Sequence, residues 1–277
     1  METQNMRLLT PGEYKQLLLD MLIEFDKLCN EYNLQYSLAY GTLLGAVRHK
    51  GFIPWDDDMD LMMPREDYDK LRNILGSDNS MSSMKFIDKK TDSNYYYPFA
   101  KLCHKDTKLI ESTFDQINDY GAYIDVFPMT RIPNEKKWNR YKKWKYMFLL
   151  TAYSHMESYV KRDESLMSTL RNLVQKASRF INTESLLDKL IKSEEKLDEI
   201  TKKKNINYQL GLLWDHAKFP SDIFEKQKKC VFEGHMFNCT SDPETVLTAS
   251  YGDYKTLPKT ELQKPSHFLK CYIKDEK

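Results

Sequence analysis

The segment Trp55-Asp56-Asp57-Asp58-Met59-Asp60-Leu61-Met62-Met63 constrains this chain more than any other. Four aspartates fall within five positions and run straight into an apolar stretch. Residues two apart in a strand share a face. A strand from Asp58 to Met63 therefore points Asp58, Asp60 and Met62 one way and Met59, Leu61 and Met63 the other. The fold must supply an apolar layer on one side and a counter-charge on the other. Asp58 and Asp60 would stand about 7 Å apart along such a strand, close enough for their carboxylates to converge on one cation. Asp56 has the same parity, although Pro54 is near enough for the chain still to be turning there. Asp57 faces away and is the weakest ligand. Hard oxygen donors select Mg²⁺, Mn²⁺ or Ca²⁺. A calcium loop fails in detail, because Leu61 stands where the sharp-turn glycine belongs and Asp67 where the terminal glutamate belongs. Trp55 and the Leu61-Met62-Met63 run argue against a merely solvated acidic loop.

Upstream, Gly41-Thr42 sits between a strand-like stretch (Gln35–Tyr40) and a short helix (Leu43–Arg48). A glycine and a hydroxyl residue opening a helix leave backbone N–H groups for a phosphate, and Arg48 follows under two turns later. With the acid-x-acid strand, this describes a metal-dependent nucleotide-phosphate site.

The 277 residues suffice for one large domain or two modest ones, and 41% hydrophobic with 30% charged residues is a folded composition. Forty-two basic against 41 acidic residues give no sign of a nucleic-acid partner. No apolar signal core or spanning segment is evident, so a cytoplasmic protein is expected, with peripheral attachment to the inner face of the plasma membrane as an option. The five cysteines are odd in number and form no CxxC pair, which points to reduced thiols.

Thr10-Pro11-Gly12-Glu13 opens a helix whose apolar positions run from Leu17 to Leu28. A further helix is expected from Pro64 to Leu75, with strands at Lys85–Ile87, Tyr97–His104, Lys108–Ser112 and Tyr123–Phe127. From Glu135 to Lys204 there is no glycine and no strand-like segment. Strand-like sequence resumes at Lys229–Phe237, a helix follows at Pro243–Ser250, and the tail reads as a turn-rich loop. The fold class expected is α+β, with a catalytic core over 1–130, a helical insert over 131–205 and a C-terminal part over 206–277 that completes the active site.

The string GTLLGAVRHKGFIPWDDDMDLMMPREDYDKL resembles the LicD family of phosphocholine transferases, distantly related to fukutin and fukutin-related protein. GAYIDVFPMTRIP and VFEGHMFNC…YGDYKTLP are also similar to that family. The resemblance implies a nucleotidyltransferase-like mixed-sheet core. It further implies transfer of phosphocholine from CDP-choline to a sugar hydroxyl of a teichoic acid or lipopolysaccharide precursor, a lipid-linked oligosaccharide, with release of CMP. Asp58 and Asp60 carry over as metal ligands for Mg²⁺ or Mn²⁺, Asp56 as their partner, and Asp125 as the third carboxylate of the fold. Gly41, Thr42, Arg48 and Lys101 are the candidates for binding phosphate. Choline cannot donate a hydrogen bond, so an aromatic wall is its natural receptor. Trp55, Tyr96 and Tyr123 are candidates for it, and His49 and His267 for acid–base work. A ribitol- or glycerol-phosphate donor, a glycosyltransferase with an Asp-x-Asp metal site, and a calcium-stabilised binding protein remain alternatives.

The insert stands apart in charge. Arg131 to Ile181 holds twelve basic and four acidic residues, interleaved with Trp138, Tyr141, Trp144, Tyr146, Phe148 and Tyr153. Such a segment suits either an interfacial helix pair on anionic lipid or a lid with a basic outer face.

Overall fold

The computed structural model describes residues 6–76, 82–111, 120–154, 182–204, 208–213, 218–265 and 269–274. His267 and the insert residues 155–181 and 205 lie outside the described residues. The chain divides into two compact units. One comprises the chain up to Tyr95, Phe99–Met129 and Leu210 onward, the other Tyr96–Pro98 and Thr130–Gln209.

In the first unit, β1 (Met6–Leu8) leads into α1 (Pro11–Glu31). Thr10 and Glu13 form the reciprocal capping box that the sequence announces. Leu18, Met21, Leu22 and Phe25, spaced three and four apart, are fully buried or nearly so. Next come β2 (Ser37–Leu38), α2 (Tyr40–Arg48), β3 (Asp60–Pro64) and α3 (Arg65–Leu75). β4 (Met84–Ile87), β5 (Ala100–His104), β6 (Thr107–Glu111) and β7 (Tyr123–Ile132) follow.

Five of these strands lie in the order β2-β3-β7-β5-β4. β3 and β7 are parallel and the other neighbours antiparallel, so the sheet is mixed and the class is α+β. The parallel pair is possible because the long stretch between β3 and β7 provides the crossover. β3 begins at Asp60, not Asp58, which corrects the expected strand. Met59, Leu61, Met62 and Met63 are all fully buried, so both faces of β3 are covered and the expected polar face closes beyond Asp60. β2 and β7 pair with its edges, and α2 and α3 pack against it, so little of β3 is left to solvent.

After the insert, β8 (Gln209–Gly211) pairs with β9 (Lys218–Pro220). The one-turn helix α6 (Asp222–Glu225), the hairpin β10 (Lys228–Phe232) and β11 (His235–Cys239), and α7 (Pro243–Tyr251) complete this part. The tail is not all loop: β12 (Leu269–Lys274) sits between β1 and β6 in a separate antiparallel sheet. The expectation of five reduced thiols is also corrected. Cys230 and Cys239 form a disulfide across the hairpin, their Cα atoms 6.0 Å apart, while Cys29, Cys103 and Cys271 are free and buried. CxxC spacing cannot reveal such a pair, because the hairpin's fold, not sequence proximity, brings the two together.

The second unit contains α4 (Glu135–Ser154) and α5 (Thr183–Lys204), packed on each other. Trp138, Tyr141 and Phe148 are buried, and so is Lys145, whose ammonium lies 5.6 Å from the centres of both the Trp138 and Tyr141 rings. The Tyr141 hydroxyl donates to buried Glu194 at 3.1 Å. Positions 138, 141, 145 and 148 share one helix face, so these rings form the seam of a helix pair and not a lipid-facing belt, one of the two readings of this segment. Tyr146 is exposed, as are Lys136, Arg140 and Lys143.

Candidate active site

The β2–α2 junction and the start of β3 are one construction. The Ala39 amide donates to the Asp60 carbonyl at 3.0 Å, and the Asp60 amide donates to the Thr42 hydroxyl at 2.8 Å. On the other side of β3, the Asp125 amide donates to the Met59 carbonyl at 2.8 Å. Asp60 is thus held through its own backbone from α2 and through its neighbour from β7. Between them, Tyr40 takes a left-handed φ of 40°, uncommon for a bulky residue, with its ring edge-on to Phe127 at 5.1 Å.

Register sets the charges. Asp60 on β3 lies opposite Asp125 on β7, and Asp125 lies opposite Lys101 on β5. Neighbouring strands run about 4.8 Å apart, so two carboxylates and an ammonium form a row across the sheet. Lys101 Nζ donates to Asp125 Oδ1 at 2.7 Å, and both side chains are largely buried. The Lys101 ammonium also sits 3.2 Å from the centre of the Tyr123 ring. Tyr123 is buried, and the cation on its ring is the protein's own lysine.

The acidic loop closes over Gly41. A Cβ built there would lie 2.7 Å from Asp56 Oδ2 and 3.9 Å from Asp60 Oδ2. Only glycine leaves both carboxylates room over the first turn of α2. Burial first, then the charges of Asp58, Asp125 and Asp56, hold the Asp60 carboxyl well above the usual carboxylate range, while Lys101 works the other way. Four acids thus press on one point with Lys101 as a counter-charge. Among the described residues, no three acid, histidine or cysteine side chains stand ready at metal-ligand spacing. The donor set nevertheless fits a hard divalent cation: Asp56, Asp58, Asp60 and Asp125 offer only oxygen, and Gly41 keeps the cradle clear.

The other candidates are placed as follows. Arg48 ends α2, about 10 Å along the helix axis from Gly41. It donates to His49 Nε2 at 2.9 Å and to the Tyr254 carbonyl at 2.8 Å. His49 is an acceptor there, and burial together with the Arg48 charge depresses its pKa. Half-buried Trp55 meets the His49 ring edge-on at 6.1 Å. Tyr96 belongs to the second unit, stacked on Tyr97 at 4.4 Å.

Sequence reasoning missed three residues. Lys15 on α1 donates to the carbonyls of Ile53 and Pro54, at 3.2 and 3.1 Å. Its neighbour Tyr14 is buried, and its hydroxyl has no hydrogen-bond partner among the described residues. Burial raises the Tyr14 pKa, with further contributions from Cys271, Asp58, Asp57 and Asp125. Glu233 holds the loop from the β10–β11 hairpin. Nothing in a one-dimensional pattern joins these residues to the aspartates; the signal is purely tertiary.

Fold and site together define an α+β protein with an acid-lined strand start beside a glycine-opened helix. The comparisons identify it further. Residues 33–163 match the LicD/FKTN/FKRP nucleotidyltransferase domain. Over 274 residues, 97% of this chain and all of the relative, the sequence is 29% identical to the lipopolysaccharide cholinephosphotransferase LicD of Haemophilus influenzae. A Rickettsia prowazekii protein is 43% identical over 64 residues, 23% of this chain and 24% of that one. Residues 33–163 are thus a LicD-family nucleotidyltransferase domain, in a chain similar to LicD along nearly its whole length.

Proposed function

We propose that the protein transfers phosphocholine from CDP-choline to a sugar hydroxyl of a lipid-linked cell-surface glycan precursor and releases CMP. The observation that carries this reading is the Asp60–Asp125–Lys101 row beside the Gly41 cradle. Similarity to a lipopolysaccharide cholinephosphotransferase along nearly the whole chain supports the phosphocholine group and the acceptor class.

Phosphoryl-type transfer needs positioning, charge stabilisation and an activated nucleophile. Asp56, Asp58 and Asp60, with Asp125, would hold Mg²⁺ or Mn²⁺. When bound, that cation supplies charge neutralisation at the pyrophosphate and at the departing phosphate. The first amides of α2, at Gly41 and Thr42, face the donor's phosphate oxygens. Lys101 supplies positive charge beside Asp125, and Arg48, two turns along α2, serves a more distant part of the donor. The sugar hydroxyl oxygen forms a new bond to the phosphorus that carries choline. The bond from that phosphorus to the bridging oxygen breaks, and CMP leaves with the electron pair. Asp125 accepts the hydroxyl proton. Half-buried Trp55, beside the acidic loop, keeps part of its ring open and takes the trimethylammonium group.

No helix among the described residues is long and apolar enough to cross a membrane. Lys136, Arg140 and Lys143 lie exposed on α4 at helical spacing, which supports peripheral contact with anionic lipid, where a lipid-linked acceptor resides. CMP release from CDP-choline, CDP-ribitol, CDP-glycerol and CDP-ethanolamine in turn, with Mg²⁺ and acceptor, tests the reading. Preference for a ribitol or glycerol donor would move it to another CDP-alcohol.

A further inference from the structure

The β10–β11 hairpin closes with a two-residue turn, Glu233-Gly234, and both residues have positive φ, 47° and 77°. Such turns favour Asn-Gly or Asp-Gly, because most side chains are strained there. Glutamate is a poor choice for the turn itself, so its side chain needs another explanation. That side chain reaches out of the hairpin: Glu233 Oε1 accepts the Phe52 amide at 2.9 Å, and the Glu233 amide donates to the Lys50 carbonyl at 2.9 Å. A Cβ on Gly51, between those two contacts, would lie 2.1 Å from Glu233 Oε1, so the loop passes the carboxylate with no room for a side chain.

The clamp continues through the ring of Phe52. Phe232, next to Glu233, meets it edge-on at 4.9 Å, and the Lys15 ammonium lies 5.2 Å from its centre. Lys15 then holds the carbonyls of Ile53 and Pro54, and the Asp56 amide donates to the Ile53 carbonyl at 3.0 Å. An unbroken set of contacts thus runs from the hairpin tip to the backbone of Asp56, whose carboxylate closes over Gly41. The hairpin is itself anchored, since the Thr240 amide donates to Ser37 Oγ on β2 at 2.9 Å.

We infer that Glu233 is a positioning residue for the reaction: from the hairpin tip it sets the path of residues 50–56 and so the placement of Asp56 beside Asp60. This rests on the aspartate loop being catalytic, as proposed above. A carboxylate or amide oxygen at the reach of Glu or Gln is required, and Asn or Asp is one methylene too short.

The experiment compares Glu233→Gln, Glu233→Asn and wild type by hydrogen exchange of the Phe52 amide and by kcat for CMP release. Asn suits the turn better than Glu, so Glu233→Asn keeps the hairpin folded while removing the reach. Losing one such hydrogen bond predicts exchange at Phe52 faster by ~10-fold and kcat lower by ~10-fold, with an unchanged melting temperature. Glu233→Gln restores both. Unchanged Phe52 exchange in Glu233→Asn would overturn the clamp. Faster exchange with wild-type kcat would overturn its catalytic role. If the wild type released no CMP at all, the functional reading would fall, while Phe52 exchange would still decide whether Glu233 orders the loop.

Discussion

Thr42 and Asp60, eighteen residues apart, are joined by one hydrogen bond, the Asp60 amide donating to the Thr42 hydroxyl at 2.8 Å. The glycine-hydroxyl pair and the acid strand are therefore one mechanical part. The Thr42 hydroxyl, buried, does its work inside the protein by fixing where β3 begins.

Thr42→Val keeps the shape and removes the acceptor. An unsatisfied, largely buried amide costs about 1–3 kcal/mol, so the midpoint of chemical denaturation should fall accordingly. Turnover should fall as well, since Asp60 loses its tether. Thr42→Ser retains the oxygen and should behave nearly as wild type in both measurements.

Gly41→Ala tests the cradle. Its Cβ would press on Asp56 Oδ2 at 2.7 Å and displace that carboxylate. A misplacement of about 1 Å at a reacting centre costs on the order of 100-fold in rate, so kcat should collapse while thermal stability changes little. Normal turnover in this variant would remove Asp56 from the site.

Asp60 links the site to pH. Its carboxyl is held above the usual range by burial and by Asp58, Asp125 and Asp56. The folded protein then binds its proton more tightly than the unfolded chain does. Stability that Asp60 lends below the unfolded carboxylate pKa of about 4 is lost as pH rises through the folded value. At pH 7 and without divalent cation, Asp60→Asn should therefore melt higher than wild type. Mg²⁺ or Mn²⁺ should raise the melting temperature of the wild type and leave that of Asp60→Asn nearly unmoved. Melting curves across pH, with and without cation, check both signs.

The insert separates structural from surface lysines. Lys145 is 1% exposed between two aromatic rings, so Lys145→Glu should unfold the helix pair, seen as loss of near-ultraviolet circular dichroism. Lys136→Glu, Arg140→Glu and Lys143→Glu together act only at the surface. Each basic residue near anionic lipid contributes about 1 kcal/mol, so the triple variant should stop sedimenting with anionic vesicles at low salt while still releasing CMP with a soluble acceptor. A wild type that stays in the supernatant would end the membrane reading.

Much of this was legible in one dimension because local chemistry dictated it. The Thr10/Glu13 capping box, the helical spacing from Leu18 to Phe25, and the apolar strand run of Tyr123–Phe127 around Asp125 each rest on residues close in sequence. The Asp60–Asp125 facing was not legible, since parallel register between strands so far apart leaves no periodic trace. Nor was the Lys101–Asp125 pair legible, since it exists only once β5 is placed beside β7. The disulfide, β12 and the grip of Glu233 on the Phe52 amide were missed for the same reason: each depends on a chain reversal or docking that only tertiary structure specifies. For Trp138, Tyr141 and Phe148 of α4 the sequence left a lipid-facing belt and a packed helix open, because a helix face that packs on a partner helix and one that enters lipid share the same spacing.

The central claim is that the Asp60–Asp125–Lys101 row transfers the phospho-alcohol of a CDP donor. CMP release from CDP-choline with Mg²⁺ and a lipopolysaccharide-type acceptor measures it most directly, in wild type, Asp60→Asn and Asp57→Asn. The account predicts CMP from the wild type, a loss of about 100- to 1000-fold in Asp60→Asn, and a much milder loss in Asp57→Asn. Absence of CMP from every CDP-alcohol tried, or Asp60→Asn turning over like wild type, would contradict it.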